Sequence, residues 1–119
     1  VKDYIASFEL NCTTPAAERR RLRIAVGLPY WNGTNFACPI AMEGMYERLP
    51  DMQSEDSFHA LLLGIGLIQR LLYYAEEDGW RFEQESDGQT WPCSPMTLFP
   101  FDVRLERDRE EDFFRAPEL

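Results

Sequence analysis

The chain has 119 residues, of which 45% are hydrophobic, 13% aromatic and 28% charged, with a formal net charge of −9. That length holds one domain with a genuine core, residues 1–119 as a single unit, and the composition is that of a folded globular protein rather than a disordered one. A field of this sign repels phosphates, so it excludes a direct nucleic-acid binder and favours a partner with a basic surface.

The longest uncharged apolar run, Ala60 to Ile68, stops at Gln69 and Arg70, short of the roughly 20 residues a membrane span needs. No signal-peptide pattern opens the sequence, so no membrane association and a cytoplasmic location are the expectations. Cys12, Cys38 and Cys93 are odd in number, form no Cys-x-x-Cys pair, and share the chain with a single histidine, His59. Reduced thiols are therefore expected, with no zinc site and no other metal or cofactor. Arg outnumbers Lys 11 to 1, a bias that suggests a GC-rich bacterial coding source.

Two strands are expected first. From Val1 to Leu10, Tyr4, Ala6, Phe8 and Leu10 alternate with Asp3, Ile5, Ser7 and Glu9; from Arg21 to Leu28, Leu22, Ile24, Val26 and Leu28 alternate with Arg21, Arg23, Ala25 and Gly27. The even-numbered residues are assigned to the core. Setting Leu10 opposite Leu22 puts Glu9 opposite Arg23 on the outer face, an opposite-charge pair of the kind sheets favour. The loop Asn11 to Arg20 runs into Arg19, Arg20 and Arg21, a basic patch that neighbouring acids are expected to neutralise. Asn32-Gly33 beside Trp31 is a tight-hairpin signal. The strand after it brings Phe36, Cys38, Ile40 and Met42 inward, with Pro39 marking an edge or bulge because proline has no N–H to donate. Gly44 ends that run, and Met45 to Leu49 is expected to form a short fourth strand.

From Ser54 to Asp78 the pattern predicts one long helix, about residues 55–78, around which the fold is organised. Phe58, Leu61, Leu62, Ile65, Ile68, Leu71, Leu72 and Ala75 recur at helical spacing and form the expected core stripe. Ser54 or Asp56 supplies the cap, and Glu55 and Asp56 complement the positive end of the helix. Leu63, Leu67 and Tyr74 widen the arc beyond one sheet contact, so a second element has to cover it, while Gln69, Arg70, Tyr73, Glu76 and Glu77 are left polar or exposed. Gly64 and Gly66 predict a close approach by another group. Asp78-Gly79 closes the helix.

Trp80 to Asp87 reads as a further strand, with Trp80 and Phe82 on one face and Arg81, Glu83, Glu85 and Asp87 on the other. After Gly88 comes a proline-rich crossing, Thr90 to Pro100, whose Trp91, Met96, Leu98 and Phe99 are the expected cover for the long helix. Pro100 suits the first position of a closing helix, about residues 101–114, that packs Phe101, Leu105 and Phe113 inward before the end frays.

Three groups of residues compete as sites. Glu83, Glu85 and Asp87, with Glu76 and Glu77, form a candidate docking surface for a basic partner, against the plain reading of a solvated strand face and helix end. Tyr30 and Trp31 at the hairpin are candidate interface anchors. His59 and Cys38 are the candidate catalytic pair, but no orienting group or oxyanion site is marked for them, no calcium loop or phosphate-cradling glycine loop is present, and no pair of carboxylates is singled out for acid–base work.

The order CPIAMEG, EDSFHALLLGIGLIQRLL and WPCSPMTLFPFDVRLER resembles a family of small uncharacterised bacterial domains with a Cys-Pro strand, an Asp-Ser helix start and a proline-broken C-terminal segment entering a helix. The likeness runs from about Phe36 to Arg109, and it carries over Cys38-Pro39 and Asp56-Ser57 as structural markers only. Size, acidity and poverty of motifs are also similar to those of immunity proteins encoded beside bacterial toxins, an analogy rather than a shared motif. The expectation is an α+β domain: an antiparallel four- to five-stranded sheet on the long helix, closed by the second helix. The expected function is that of a monomeric toxin-neutralising immunity protein, not an enzyme, that blocks a basic active-site cleft. The alternatives are a self-associating scaffold burying Leu63 and Leu67, and a small enzyme using His59 or Cys38.

Overall fold

A computed structural model of the chain describes residues 3–99. The two alternating segments at its start pair as an antiparallel ladder, β1 (Tyr4–Thr13) with β2 (Arg19–Gly27), with Leu10 facing Leu22 and Glu9 facing Arg23 as anticipated. Both strands extend further into the connection than expected, and the turn tightens to residues 14–18 with Thr14 N donating to Glu18 O at 2.8 Å. Leu10, Cys12, Leu22 and Ile24 are buried, but Tyr4 and Phe8 are exposed. The register shifts between Tyr4 and Ala6, and such a one-residue slip puts Tyr4 out of phase with the core face. Its ring lies instead under the Arg23 guanidinium, 5.8 Å away.

The hairpin at Asn32-Gly33 forms as expected: β3 (Tyr30–Trp31) pairs with β4 (Phe36–Cys38), Gly33 takes φ 99°, and the Asn32 side chain accepts from Thr34 N and Asn35 N. The run through Phe36 to Met42 is not one strand. Pro39 divides it, and β5 (Ile40–Glu43) joins β2 while β4 stays with β3. Gly27 N donates to Pro39 O at 2.7 Å, and a Cβ on Gly27 would lie 2.8 Å from the Pro39 ring, so this crossover needs a residue without a side chain at position 27. The short strand expected at Met45 to Leu49 is replaced by a turn. The strand that forms is β6 (Met52–Ser54), paired with β4.

Among the described residues the result is two antiparallel sheets: a five-stranded one in the order β5-β2-β1-β7-β8 and a three-stranded one in the order β3-β4-β6, where β7 is Arg81–Ser86 and β8 is Gln89–Cys93. The fold is α+β, as expected, with the strands divided between two sheets.

The long helix, α1, spans Ser57–Glu77. Asp56 is its cap, accepting from His59 N at 2.7 Å. Its buried row is Ala60, Gly64, Ile68, Leu72 and Ala75, together with Gln69. The expected stripe is therefore rotated: Phe58 is 63% exposed and Leu62 also faces outward, whereas Gln69 is 1% exposed. Small residues set the buried row because they let the helix approach the sheets closely; a Cβ on Gly64 would stand 3.0 Å from both Cys38 Sγ and Ile40 Cγ2. The close approach expected at Gly66 is absent, with nothing within 4 Å of such a Cβ. By length and a mean hydropathy of 1.3, α1 is also long and apolar enough to cross a membrane, a property the apolar run length did not register; here its buried row packs into the core between the sheets.

The stretch expected to cross α1 begins as β8, paired with β7 around an Asp87-Gly88 turn in which both residues have positive φ. Among the described residues, cover from this stretch comes from the short helix α2 (Pro95–Leu98) and from Phe99: Pro95 is buried, and Leu98 and Phe99 pack on the core, while Trp91 stays exposed on β8. The closing helix expected at about 101–114, with Phe101, Leu105 and Phe113, lies outside the described residues.

Candidate binding surfaces

The outer face of the five-stranded sheet carries a lattice of opposite charges. Arg23 on β2 meets Glu43 on β5 at 3.5 Å; Arg21 Nε donates to Glu9 on β1 at 3.0 Å, and its NH1 lies 3.7 Å from Glu85 on β7; Arg19 reaches Glu83 at 3.4 Å. Asn11 Nδ2 donates to Glu85 at 3.0 Å, and Arg20 pairs with Glu18 at 3.0 Å, which holds the Glu18 carboxyl below its usual range. The basic patch is thus neutralised by acids, as expected. Glu9, however, bonds diagonally to Arg21 although its directly opposite partner is Arg23. Exposed pairs of this kind contribute about 0–1 kcal/mol each. Their larger consequence is that Glu83 and Glu85 already face arginines of their own sheet.

Asp87 sits apart in the β7–β8 turn. Glu76 and Glu77 lie at the C-terminal end of α1, where Ser94 Oγ donates to Glu76 Oε1 at 3.1 Å and Arg81 NH1 donates to the Glu76 carbonyl at 3.2 Å. These residues border an open cleft of about 590 Å³ that also takes in Tyr73 and Met96. Glu76, Glu77 and Asp78 follow one another at the negative end of the helix dipole, and no basic residue stands in the last turn. Anionic charge there is disfavoured.

Trp31 is 58% exposed and packs edge-on against Phe36 at 5.3 Å, and the Tyr30 hydroxyl donates to Asp51. Because Trp31 pairs with Phe36 and Phe36 with Ser54, this aromatic tip belongs to the N-terminal end of α1. At about 1.5 Å rise per residue it is some 30 Å along the helix from Glu76. The expected docking residues therefore do not form one surface: Glu76 at the helix end and Glu83 on the sheet border a common cleft with Arg81 and Pro92, whereas the hairpin with Tyr30 and Trp31 lies at the other end of α1.

The two catalytic candidates sit in opposite environments. His59 is exposed, its Nδ1 2.7 Å from Asp56 Oδ2, and this pair serves the helix cap; the Asp56 carboxyl is held below its usual range by the His59 backbone N–H first and the ring second. Cys38 is fully enclosed against Gly64, its thiol 3.6 Å from the Gly27 carbonyl, and burial pushes its pKa up. A substrate reaches that sulfur only if α1 lifts from the sheet. Burial likewise raises Cys12 and Cys93. Among the described residues, no group of three or more His, Cys, Asp or Glu side chains is placed to hold a metal ion.

One feature had no counterpart in the sequence reading: an apolar cleft of about 210 Å³ between the N-terminal half of β1, β2 and α1, lined by Ala6, Phe8, Val26, Ile65, Ile68 and Phe99 among others. The exposed Phe58 and Leu62 lead along α1 to the half-buried Ile65 that lines it. Periodicity had shown that the stripe exists; which side of the helix it occupies depended on the small residues Ala60 and Gly64.

No family model, curated protein or solved structure matches this chain.

Proposed function

We propose that the protein acts by binding a basic protein partner, as a toxin-neutralising immunity protein that occupies the partner's basic active-site cleft. The observation that carries this reading is the acidic run Glu76-Glu77-Asp78 at the negative pole of α1, whose last turn has no basic residue of its own and whose Glu76 carbonyl is met by the Arg81 guanidinium. Charge placed against the helix dipole costs on the order of 0.3–1 kcal/mol per residue at an exposed site. A cationic surface brought by a partner adds to the partial offset that Arg81 supplies at this helix end, and the overall charge of −9 steers such a partner in. A partner that engages Glu83 and Glu85 must displace Arg19 and Arg21, so the proposal rests first on the acidic helix end at Glu76. The enclosure of Cys38 and the capping role of His59 support binding over catalysis.

The test is co-expression. If the product of the adjacent gene arrests growth, the wild-type chain is expected to relieve the arrest, and the double variant Glu76→Lys/Glu77→Lys, folded by circular dichroism, is expected to fail. Relief by both proteins equally removes the helix end from the account.

A second reading, self-association, is favoured by the exposure of Phe58, Leu62 and Leu63 on α1. Leu67, assigned with Leu63 to such an interface, is already partly buried on the core.

A further inference from the structure

β1 has ten residues, and β2 pairs along its length, but the ladder with β7 covers only Asn11, Cys12 and Thr13. Among the described residues, no strand pairs with Tyr4–Leu10 on the side away from β2. That edge presents outward-pointing backbone N–H and C=O groups at strand spacing, and its sequence YIASFEL contains neither the proline nor the lysine with which exposed edges are usually protected. Tyr4, Ile5 and Phe8 along it are exposed.

We propose that this edge is a docking site for an extended strand of the partner in which apolar residues alternate with Arg or Lys. The inference deepens the binding function proposed above and rests on it for the partner's basic character. A strand laid beside β1 points alternate side chains to opposite faces. One row enters the 210 Å³ apolar cleft, where Phe8 and Phe99 meet edge to face at 6.5 Å and Ile65 and Ile68 form the floor. The other row passes over the outer face beside Glu9 and Glu85. These two carboxylates share the Arg21 guanidinium, while Arg23, opposite Glu9 and over the Tyr4 ring, is paired with Glu43; Glu9, Glu43, Glu83 and Glu85 thus outnumber Arg19, Arg21 and Arg23 on this face, an excess that a cation at alternate positions matches. A second copy of β1 at this edge would add the same negative excess, and the charge therefore favours a foreign basic strand. Main-chain hydrogen bonds supply affinity and the alternating pockets supply specificity, the mode known as β-augmentation.

The test uses the full chain and the synthetic peptide Val-Lys-Val-Arg-Val-Lys-Val, followed by fluorescence anisotropy and amide hydrogen exchange. The peptide is expected to bind, to slow exchange at amides within Tyr4–Leu10, and to weaken at least about tenfold when its Lys and Arg are replaced by Glu. N-methylation of alternate peptide amides separates strand pairing from charge attraction. Methylation of the set facing β1 is expected to weaken binding at least about tenfold, and methylation of the other set to leave it nearly unchanged. Equal loss from both sets, absence of binding, or full protection of Tyr4–Leu10 in the free chain overturns the proposal. None of these results bears on the growth-rescue test, so the two ideas fail separately.

Discussion

Adding one methyl group at Gly64 and at Gly66 is expected to change stability in opposite directions. In a helix interior, Gly→Ala gains about 1 kcal/mol from backbone entropy and propensity. At Gly66 nothing lies within 4 Å of the new Cβ, so the variant is expected to keep most of that gain. At Gly64 the Cβ arrives 3.0 Å from Cys38 Sγ and 3.0 Å from Ile40 Cγ2, atoms of buried residues that have little room to move. Overpacking of this kind costs about 1–3 kcal/mol, which leaves Gly64→Ala between neutral and about 2 kcal/mol destabilising once the propensity gain is subtracted. Urea unfolding reads the difference directly: for a slope of about 2 kcal/mol/M, a gap near 2 kcal/mol separates the two midpoints by about 1 M. Replacing Cys38 by Ala in the Gly64→Ala background is expected to recover part of the loss, because it removes one of the two opposing atoms. If Gly64→Ala stabilises the protein as much as Gly66→Ala does, α1 is not pressed against Cys38 and Ile40 and the placement of the core is wrong.

Three further outcomes follow from the same geometry. The Asp56 carboxyl is held below its usual range by His59, so its contribution to stability is full above the ordinary Asp pKa and is lost as the pH falls through the lowered folded-state value; the melting temperature of Asp56→Ala is expected to lie below wild type near neutrality and to converge with it in strong acid, and a constant difference contradicts the capping role. Thiol labelling under native conditions is expected to modify the partly exposed Cys93 first, with the buried Cys12 and Cys38 reacting only on unfolding; rapid labelling of Cys38 contradicts its enclosure. Sedimentation across a wide concentration range is expected to show a monomer, and a stable dimer abolished by Leu62→Glu/Leu63→Glu would transfer the exposed face of α1 to self-association.

What could be read from the residues depended on range. The ladder between β1 and β2 was legible because alternation and one pair, Leu10 with Leu22, fix a register locally. The hairpin at Asn32-Gly33 was legible because its turn chemistry is written in two residues. The helix was legible in existence and extent but not in rotation: hydrophobic weight pointed to Phe58, Leu61 and Leu62, whereas close packing selected Ala60 and Gly64, residues too small to register as apolar signal. Pro39 was recognised as an interruption, yet its consequence, a chain changing sheets, depends on the space that Gly27 leaves twelve residues earlier. The acidic face was visible as a list of charges, but not its pairing with Arg19 and Arg21, because those contacts cross from β7 over β1 to β2. The cleft at Phe8 and Phe99 joins residues far apart in the chain, and no local pattern marks it.

The central claim, that the acidic end of α1 binds a basic partner, is tested most directly by the association constant between the full chain and the product of its adjacent gene, measured across salt concentrations for wild type and for Glu76→Lys/Glu77→Lys. The account predicts affinity that falls steeply as salt rises and is reduced at least about tenfold by the double reversal. Affinity indifferent to both salt and charge reversal, or no association at all, would contradict it.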